Sequence, residues 1–523
     1  MLLHQGAAPS ALPYRYVQYN PENNEIIHSE TEDRPPLTEP TTLNEFYGRS
    51  WTRKQVKMFE HLPYQDHFNR TDSNLHPSDE IPTIHVISEE DNIYNLHGYY
   101  LQDIDIRVNM TYIRADRIKL FTNVRFKIGG RSSRLFTKLG YNLCFPKDQD
   151  LEGYRKLKLR AAASDPSYMR EKLAYDMLYA AGMPATQASY VRLFINNRAI
   201  GLFVLVEKYD DTWLENEFHG GIGNKHGVLY EGKGAAKNRE RYADLSYHGD
   251  DLAYYAESAY EMKEVDSEKE VSDLGDLVGL AKFIDSQAKM DGDLSNQSLE
   301  TWHSQLDVYG FLTNMAFEFL HGSWDGYLQN TENYYLYKDP TTSRFVWIPW
   351  DLEYVMGSGP VSIPSLLEGN YSHFDGIAHK PLIKTLLNVP HFRQVFEQIL
   401  RNLVTLLYDK SFPVIDSLED FLRQDVEWDQ AQIRMRDGLS FLPLGPHFVE
   451  NVLQNSQGHA NMPLPLSLDY WVAADYIIRI NQHIPFQTAV EGNTTHVSLM
   501  GVKEWITQKS NNVKKYLFLE DPE

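Results

Sequence analysis

The sequence predicts an α+β protein: a small β-rich lobe over about residues 81–210 with one main helix, followed by a larger, mainly helical lobe over 211–523. Three observations lead there. From Ile81 the chain turns strand-like (IPTIHVIS, YYLQDIDIRVNMTYIR, IKLFTNVRFKI). A strongly apolar run, Leu306 to Leu320, has the length and composition of a buried helix. Beyond residue 380 the text is dominated by amphipathic segments such as FRQVFEQILRNLVTLL and SLEDFLRQDVEW.

Length and composition set the frame. The chain has 523 residues, 42% hydrophobic and 23% charged, which is ordinary for a globular protein and excludes wholesale disorder. Aromatic residues reach 13%, with 33 Tyr, in keeping with β-rich packing or a binding surface. The net charge of −22 argues against a nucleic-acid or anionic-membrane partner, because a phosphate-backbone binder carries a basic excess. A single cysteine, Cys144, excludes an internal disulfide framework and a Cys-based zinc site. The longest apolar run, Ala199 to Val206, falls far short of the roughly 20 residues needed to span a bilayer. No signal peptide or lipid anchor is legible. Sequons at Asn69, Asn109, Asn296, Asn370 and Asn493 leave secretion open.

Taken in order, residues 1–80 read as an irregular arm rich in Pro, Asn, Glu and Thr. The strand FTNVRFKI then runs into Gly129-Gly130-Arg131-Ser132-Ser133-Arg134, and the strand YNLCF follows. A third strand, YRKLKLR, alternates Lys156, Lys158 and Arg160 against Leu157 and Leu159. Asp165-Pro166 predicts a helix over 166–181, with Asp165 as cap, Pro166 in the first turn and Gly182 at its end. VRLFI, the turn Asn196-Asn197 and AIGLFVLVEKYDD read as a hairpin. Residues 212–300 read as polar insertions plus helices. After the apolar helix come HGSWDGYLQNTEN, then the hairpin YYLYKD and RFVWIPW, which ends at Asp351.

The carboxylates are the most informative feature. Asp325 follows an apolar helix, Asn330 and Asn333 come next, and Asp351 lies beyond a hairpin. Phosphoryl transfer uses such a set: an Asp for the acceptor hydroxyl, an Asn, and a second Asp holding magnesium on the phosphates. Each residue taken singly is explained by a cap or a turn; the ordered combination is what points to a site. Asn330 has the D-x-x-x-x-N spacing to Asp325, whereas Asn333 directly precedes the hairpin strand. Asn333 is preferred, since the hairpin fixes its position relative to Asp351.

Gly129 and Gly130, with Ser132 and Ser133, offer backbone N–H groups to phosphates, although a tight hairpin turn explains them equally well. Lys158, paired with Glu171, is the candidate phosphate-holding lysine, with a solvated strand face as the alternative and Arg170 as a rival to Glu171. Lys138 is held in reserve. The segment VLVEKYD around Glu207 is a candidate adenine-reading hinge or, alternatively, an amphipathic edge. The 19 His include no HExxH, and no G-x-S-x-G elbow is present.

Several blocks in order, GGRSSR, KLKLRAAASDPSYMREKLAYDML, VRLFINNRAIGLFVLVEKYDD, WDGYLQNTENYYLYKD and VWIPWDLEYVMG, resemble the spore-coat protein H (CotH) kinase family over about 81–517. The resemblance implies an atypical protein-kinase-like two-lobed fold and ATP- and Mg²⁺- or Mn²⁺-dependent phosphorylation of a protein substrate. It also implies a spore-surface, cell-surface or secreted location. Similar proteins of Mucorales moulds are ligands for host receptors, so a kinase-like adhesin with little catalysis is the rival reading, and a metal-dependent phosphate hydrolase a third. By resemblance Asp325 is the catalytic Asp and Asp351 the metal Asp, while Glu353 departs from the family's PWDLD pattern.

Overall fold

In a computed structural model, the described residues are 11–63, 68–223, 225–233, 241–266, 272–290, 296–435 and 469–518. They form a mixed α+β protein, and no helix among them is long and apolar enough to cross a membrane.

The N-terminal arm contains a two-stranded ribbon, β1 (Val17–Tyr19) with β2 (Ile26–Ser29). The β-rich portion is more closed than the sequence predicts. Strands β3 (Thr83–Ile87), β4 (Asp105–Ile113), β5 (Ile118–Ile128), β6 (Tyr141–Cys144), β7 (Lys156–Arg160), β8 (Ala188–Ile195) and β9 (Arg198–Glu207) form a closed barrel in the order β3-β4-β5-β6-β7-β9-β8. All neighbours are antiparallel except β3 with β8, the parallel pair that completes the ring. Closure abolishes free sheet edges, and period-2 alternation decides what fills the inside. Leu157 and Leu159 of β7 are fully buried, and an aromatic column Phe126–Tyr141–Phe203 packs with ring centroids 4.7 and 5.9 Å apart.

The expected helix 166–181 begins later, at Arg170, and runs to Ala180. Asp165 does not cap it as an N-cap. Its carboxylate accepts from the Ser167 and Arg170 amides, both at 3.0 Å, and pairs with the Arg170 guanidinium, so residues 165–169 form a preceding turn. Tyr168, at φ +58°, interrupts helical geometry there.

Residues 212–300 also differ from expectation, because they supply two strands. β10 (Val228–Gly232) and β11 (Tyr260–Glu264) join β12 (Tyr334–Lys338) and β13 (Phe345–Pro349) in a four-stranded sheet ordered β11-β10-β12-β13. β11 (YEMKE) is a half-buried edge strand whose alternation, Tyr260 and Met262 against Glu261 and Lys263, is too short to mark a strand.

The apolar helix spans Val308–His321 and is buried all round except at Tyr309. Asp307 caps it, accepting from the Gly310 amide at 3.2 Å, and Gly322 ends it in the left-handed region at φ +59°. A Cβ on Gly322 would stand 2.6 Å from the Trp505 ring, so glycine is needed for both reasons.

The later helix Phe412–Gln430 docks on the barrel through buried ion pairs. Asp425 meets Arg192 at 2.5 Å and Arg49 at 3.3 Å, and Asp429 meets Lys138 at 2.8 Å and accepts from the Leu202 amide at 2.8 Å.

Candidate active site

The chain leaves the helix Val308–His321 through Gly322 and reaches Asp325 three residues later. Glu318, on that helix, accepts from the Tyr327 amide at 3.2 Å and the Leu328 amide at 2.8 Å, which ties the following loop to the core. Two asparagines then close on Asp325. Asn330 Nδ2 donates to Asp325 Oδ1 at 3.0 Å and to Glu332 Oε1 at 2.6 Å. Asn333 Nδ2 donates to the Asp325 carbonyl and to Asp325 Oδ2, both at 2.9 Å. Burial, then the neighbouring Glu332 charge, pushes the Asp325 carboxyl well above its ordinary value.

Asn333 and Asp351 flank the hairpin of β12 and β13, and the Trp350 amide donates to the Asn333 carbonyl at 2.9 Å. Both residues occupy the left-handed region, at φ +60° and +57°, a conformation that costs non-glycine residues energy and clusters at functional sites. The Asp351 amide donates to the Tyr175 hydroxyl at 3.1 Å, which ties this turn to the helix Arg170–Ala180.

Across from the hairpin stands β7. Lys158 Nζ lies 3.4 Å and Arg160 Nη1 2.6 Å from the Asp351 carboxylate. Arg160 Nε also lies 2.7 Å from Glu171. The indole of Trp350 sits under both cations, 5.6 Å from Lys158 and 5.3 Å from Arg160. Burial alone would raise the Asp351 carboxyl, but the Arg160 and Lys158 charges outweigh it and hold it down at about 2. Lys158 is pushed down by burial and by Arg160, with Asp351 opposing. Glu353 is pushed up by burial and by Asp351. Asp351 keeps 22% of its side chain exposed, against 3% for Arg160 and 6% for Glu171, so the accessible oxygens are those of Asp351.

Asp325, Asn330, Asn333, Asp351 and Lys158 therefore gather at one place. Several other expectations need correction. Glu171 pairs with Arg160, not Lys158; its helix packs on β8 and on the helix Val308–His321. Arg170, the rival, is fully buried against Asp165. Lys138 lies before β6, not on it, and its buried ammonium holds Asp429 and the Leu202 carbonyl on a different side of the barrel. The Glu207 side chain points away from Lys158, since in β9 it falls on the same side as Leu205. It accepts from Thr186 Oγ1 and from the Gln187 amide at 3.1 Å, and lies 3.1 Å from His76.

Gly129 and Gly130 lead from β5 into a 3₁₀ turn, Ser132–Leu135. Gly130, at φ +80°, needs to be glycine, for a Cβ would collide with Ser133 Oγ. The Ser132 side chain lies outside the described residues. Arg134 fastens the turn by donating to the Gly130 carbonyl at 2.9 Å.

Sequence reasoning missed Arg160, Glu332 and Tyr175. The only available signal for Arg160 was its place in the Lys156, Lys158, Arg160 alternation, which a solvated strand face explains as well.

The protein is thus of the α+β class, with a closed barrel whose strand β7 lays Lys158 and Arg160 on an Asp–Asn–hairpin–Asp cluster. A family model described as CotH kinase protein matches residues 125–450, and the chain belongs to that family. It is similar to Invasin CotH3 of Rhizopus delemar, 25% identical over 414 residues, which cover 77% of this chain and 66% of that protein. It is similar to Invasin CotH2 of the same mould, 24% identical over 417 residues, 77% of this chain and 67% of that protein. Inner spore coat protein H of Bacillus subtilis is 23% identical over 303 residues, 57% of this chain and 76% of that protein. The chain thus spans about two thirds of the length of the two mould relatives.

Proposed function

We propose that this chain is an ATP- and divalent-metal-dependent protein kinase that phosphorylates serine or threonine hydroxyls, with a kinase-like arrangement of a barrel lobe over a mainly helical lobe. The observation that carries the reading is the junction at Asp351. A carboxylate with accessible oxygens meets Lys158 and Arg160, and Arg160 in turn meets a helix glutamate. Kinases use such a strand-cation to helix-glutamate pair beside a metal-holding Asp to seat nucleotide phosphates. Here arginine takes the paired position and lysine stands two residues before it.

The donor set fits a hard cation, which takes oxygen ligands. Asp351 offers a carboxylate. Asn333 spends its amide nitrogen on Asp325, which leaves its Oδ1 as the atom able to ligate. Asn330 is the alternative, although its nitrogen is divided between Asp325 and Glu332. Bound Mg²⁺ or Mn²⁺ would supply charge neutralisation on the phosphates. Asp325 would accept the proton of the acceptor hydroxyl, its carboxylate held in place by the Asn330 and Asn333 amides. Gly129 and Gly130 would lie over the phosphates, and the backbone after Glu207 would face the base.

The names of the mould relatives favour a second reading, a surface ligand for a host receptor on the same scaffold. Together with the spore-coat relative they support a spore or cell-surface location. The deciding experiment is incubation with labelled ATP with and without Mg²⁺, read as autophosphorylation and as transfer to generic protein substrates. Metal-dependent label supports the kinase. No label in any metal, with intact receptor binding, hands the case to the surface ligand.

A further inference from the structure

The pairing register of the barrel puts three lysines on one face next to Asp351. Residues directly opposite in antiparallel strands share a face. Lys127 of β5 pairs with Asn142 of β6, Asn142 with Lys158 of β7, and Lys158 with Val206 of β9. Two positions along, the Lys208 amide donates to the Lys156 carbonyl at 2.9 Å, which puts Lys208 on the same outer face. The inner face of these strands holds Leu157, Leu159 and Leu205 instead.

The cations of this region differ in their partners. Lys156 has Asp210 and Glu264, each at 3.5 Å, and Lys263 has Glu231 and Glu261, each at 3.1 Å. Lys127 and Lys208 have no carboxylate within ion-pair distance among the described residues. Asp105 of β4 stands opposite Lys127 but meets Arg125 at 3.8 Å, and Glu231, the carboxylate near Lys208, meets Lys263 at 3.1 Å, so the carboxylates beside both lysines are engaged by other cations. Lys208 is half-buried, and burial, then the charges of Lys158, Lys263 and Lys127, pushes its ammonium down to about 8, with Glu231 opposing. An anion seated there would relieve that repulsion.

We infer that Lys127, Lys158 and Lys208 form a seat for a polyphosphate chain on the outer face of the barrel, beside Asp351. The phosphate chain of a nucleoside triphosphate and a free polyphosphate share this chemistry. The nucleotide as its source rests on the function proposed above. The seat itself does not.

The test is calorimetric titration of the whole chain with inorganic tripolyphosphate, ATP and adenosine at constant ionic strength. Wild type is compared with Lys208→Ala, Lys127→Ala and the double variant, each checked by a thermal melt. Each single variant should bind tripolyphosphate about tenfold more weakly, and the double about a hundredfold, with adenosine binding unchanged. Parallel losses for ATP support the nucleotide as occupant. A loss for tripolyphosphate with no effect on ATP keeps the seat and overturns the nucleotide as its source. Equal tripolyphosphate affinity in all four proteins, no tripolyphosphate binding by the wild type, or an equal loss for adenosine overturns the seat.

Discussion

Asn333 holds Asp325 from two sides, with one amide nitrogen 2.9 Å from both its carbonyl and its Oδ2. Since the Asn333 carbonyl also accepts from Trp350, next to Asp351, one residue couples the two acidic positions of the site. The geometry of each then depends on the other.

Asp351→Ala should abolish metal-dependent nucleotide binding, because it removes the accessible carboxylate of the cluster. Calorimetry with Mg²⁺ and with excess chelator checks this. Equal ATP affinity of the wild type in both conditions would refute the metal role.

Asp325→Ala should leave nucleotide binding intact and lower phosphotransfer by about 10²- to 10⁴-fold, the usual worth of a positioned base. Full transfer by this variant would show that the base lies elsewhere.

Arg160→Ala and Lys158→Ala should differ in stability, although both lower activity. Arg160 is buried between Glu171 and Asp351, so its loss leaves two carboxyl groups without their shared partner and should cost about 3–5 kcal/mol. Lys158 has one ion pair, with a partly exposed carboxylate, besides the Trp350 ring, and its removal should cost less, about 1 kcal/mol. Urea melts of the two variants separate these expectations, and equal midpoints would refute the assignment of Arg160 to the buried pair.

Gly201→Ala should be among the costly single changes in the barrel. Gly201 has φ +139°, and a Cβ there would stand 1.9 Å from Asp429 Oδ1, the atom that accepts from Leu202 and meets Lys138. Strain and displacement of a buried ion pair together should cost about 3 kcal/mol or more. A denaturant midpoint unchanged from wild type would contradict this.

Stability should respond to Glu318 between pH 4.5 and about 7. Burial raises its folded value from 4.5 to about 7, with the Leu328 and Tyr327 amides opposing. The folded state therefore binds more protons than the unfolded state in that window, so this group makes stability fall as pH rises. Subtracting the melting profile of Glu318→Gln from that of wild type isolates the effect. A difference independent of pH across the window would remove it.

The sequence by itself determined the α+β class, the strand that follows the Gly-rich turn, the buried helix and the order Asp325, Asn333, hairpin, Asp351. These rest on local signals: alternation, turn residues, capping and an apolar run longer than a strand. Glu171 and Lys158 were legible as candidates but their partners were not. Which cation meets Glu171 depends on how the helix Arg170–Ala180 is seated on the barrel, a packing choice that favours Arg160. Tertiary structure alone decided that Lys138 serves the helix Phe412–Gln430, since Asp429 lies 291 positions away in the chain. It also decided barrel closure through the parallel β3–β8 pair and recruited the short strand β11 to a sheet edge. Such pairings carry no local pattern, because hydrogen-bond partners and burial for these strands come from segments far apart in sequence.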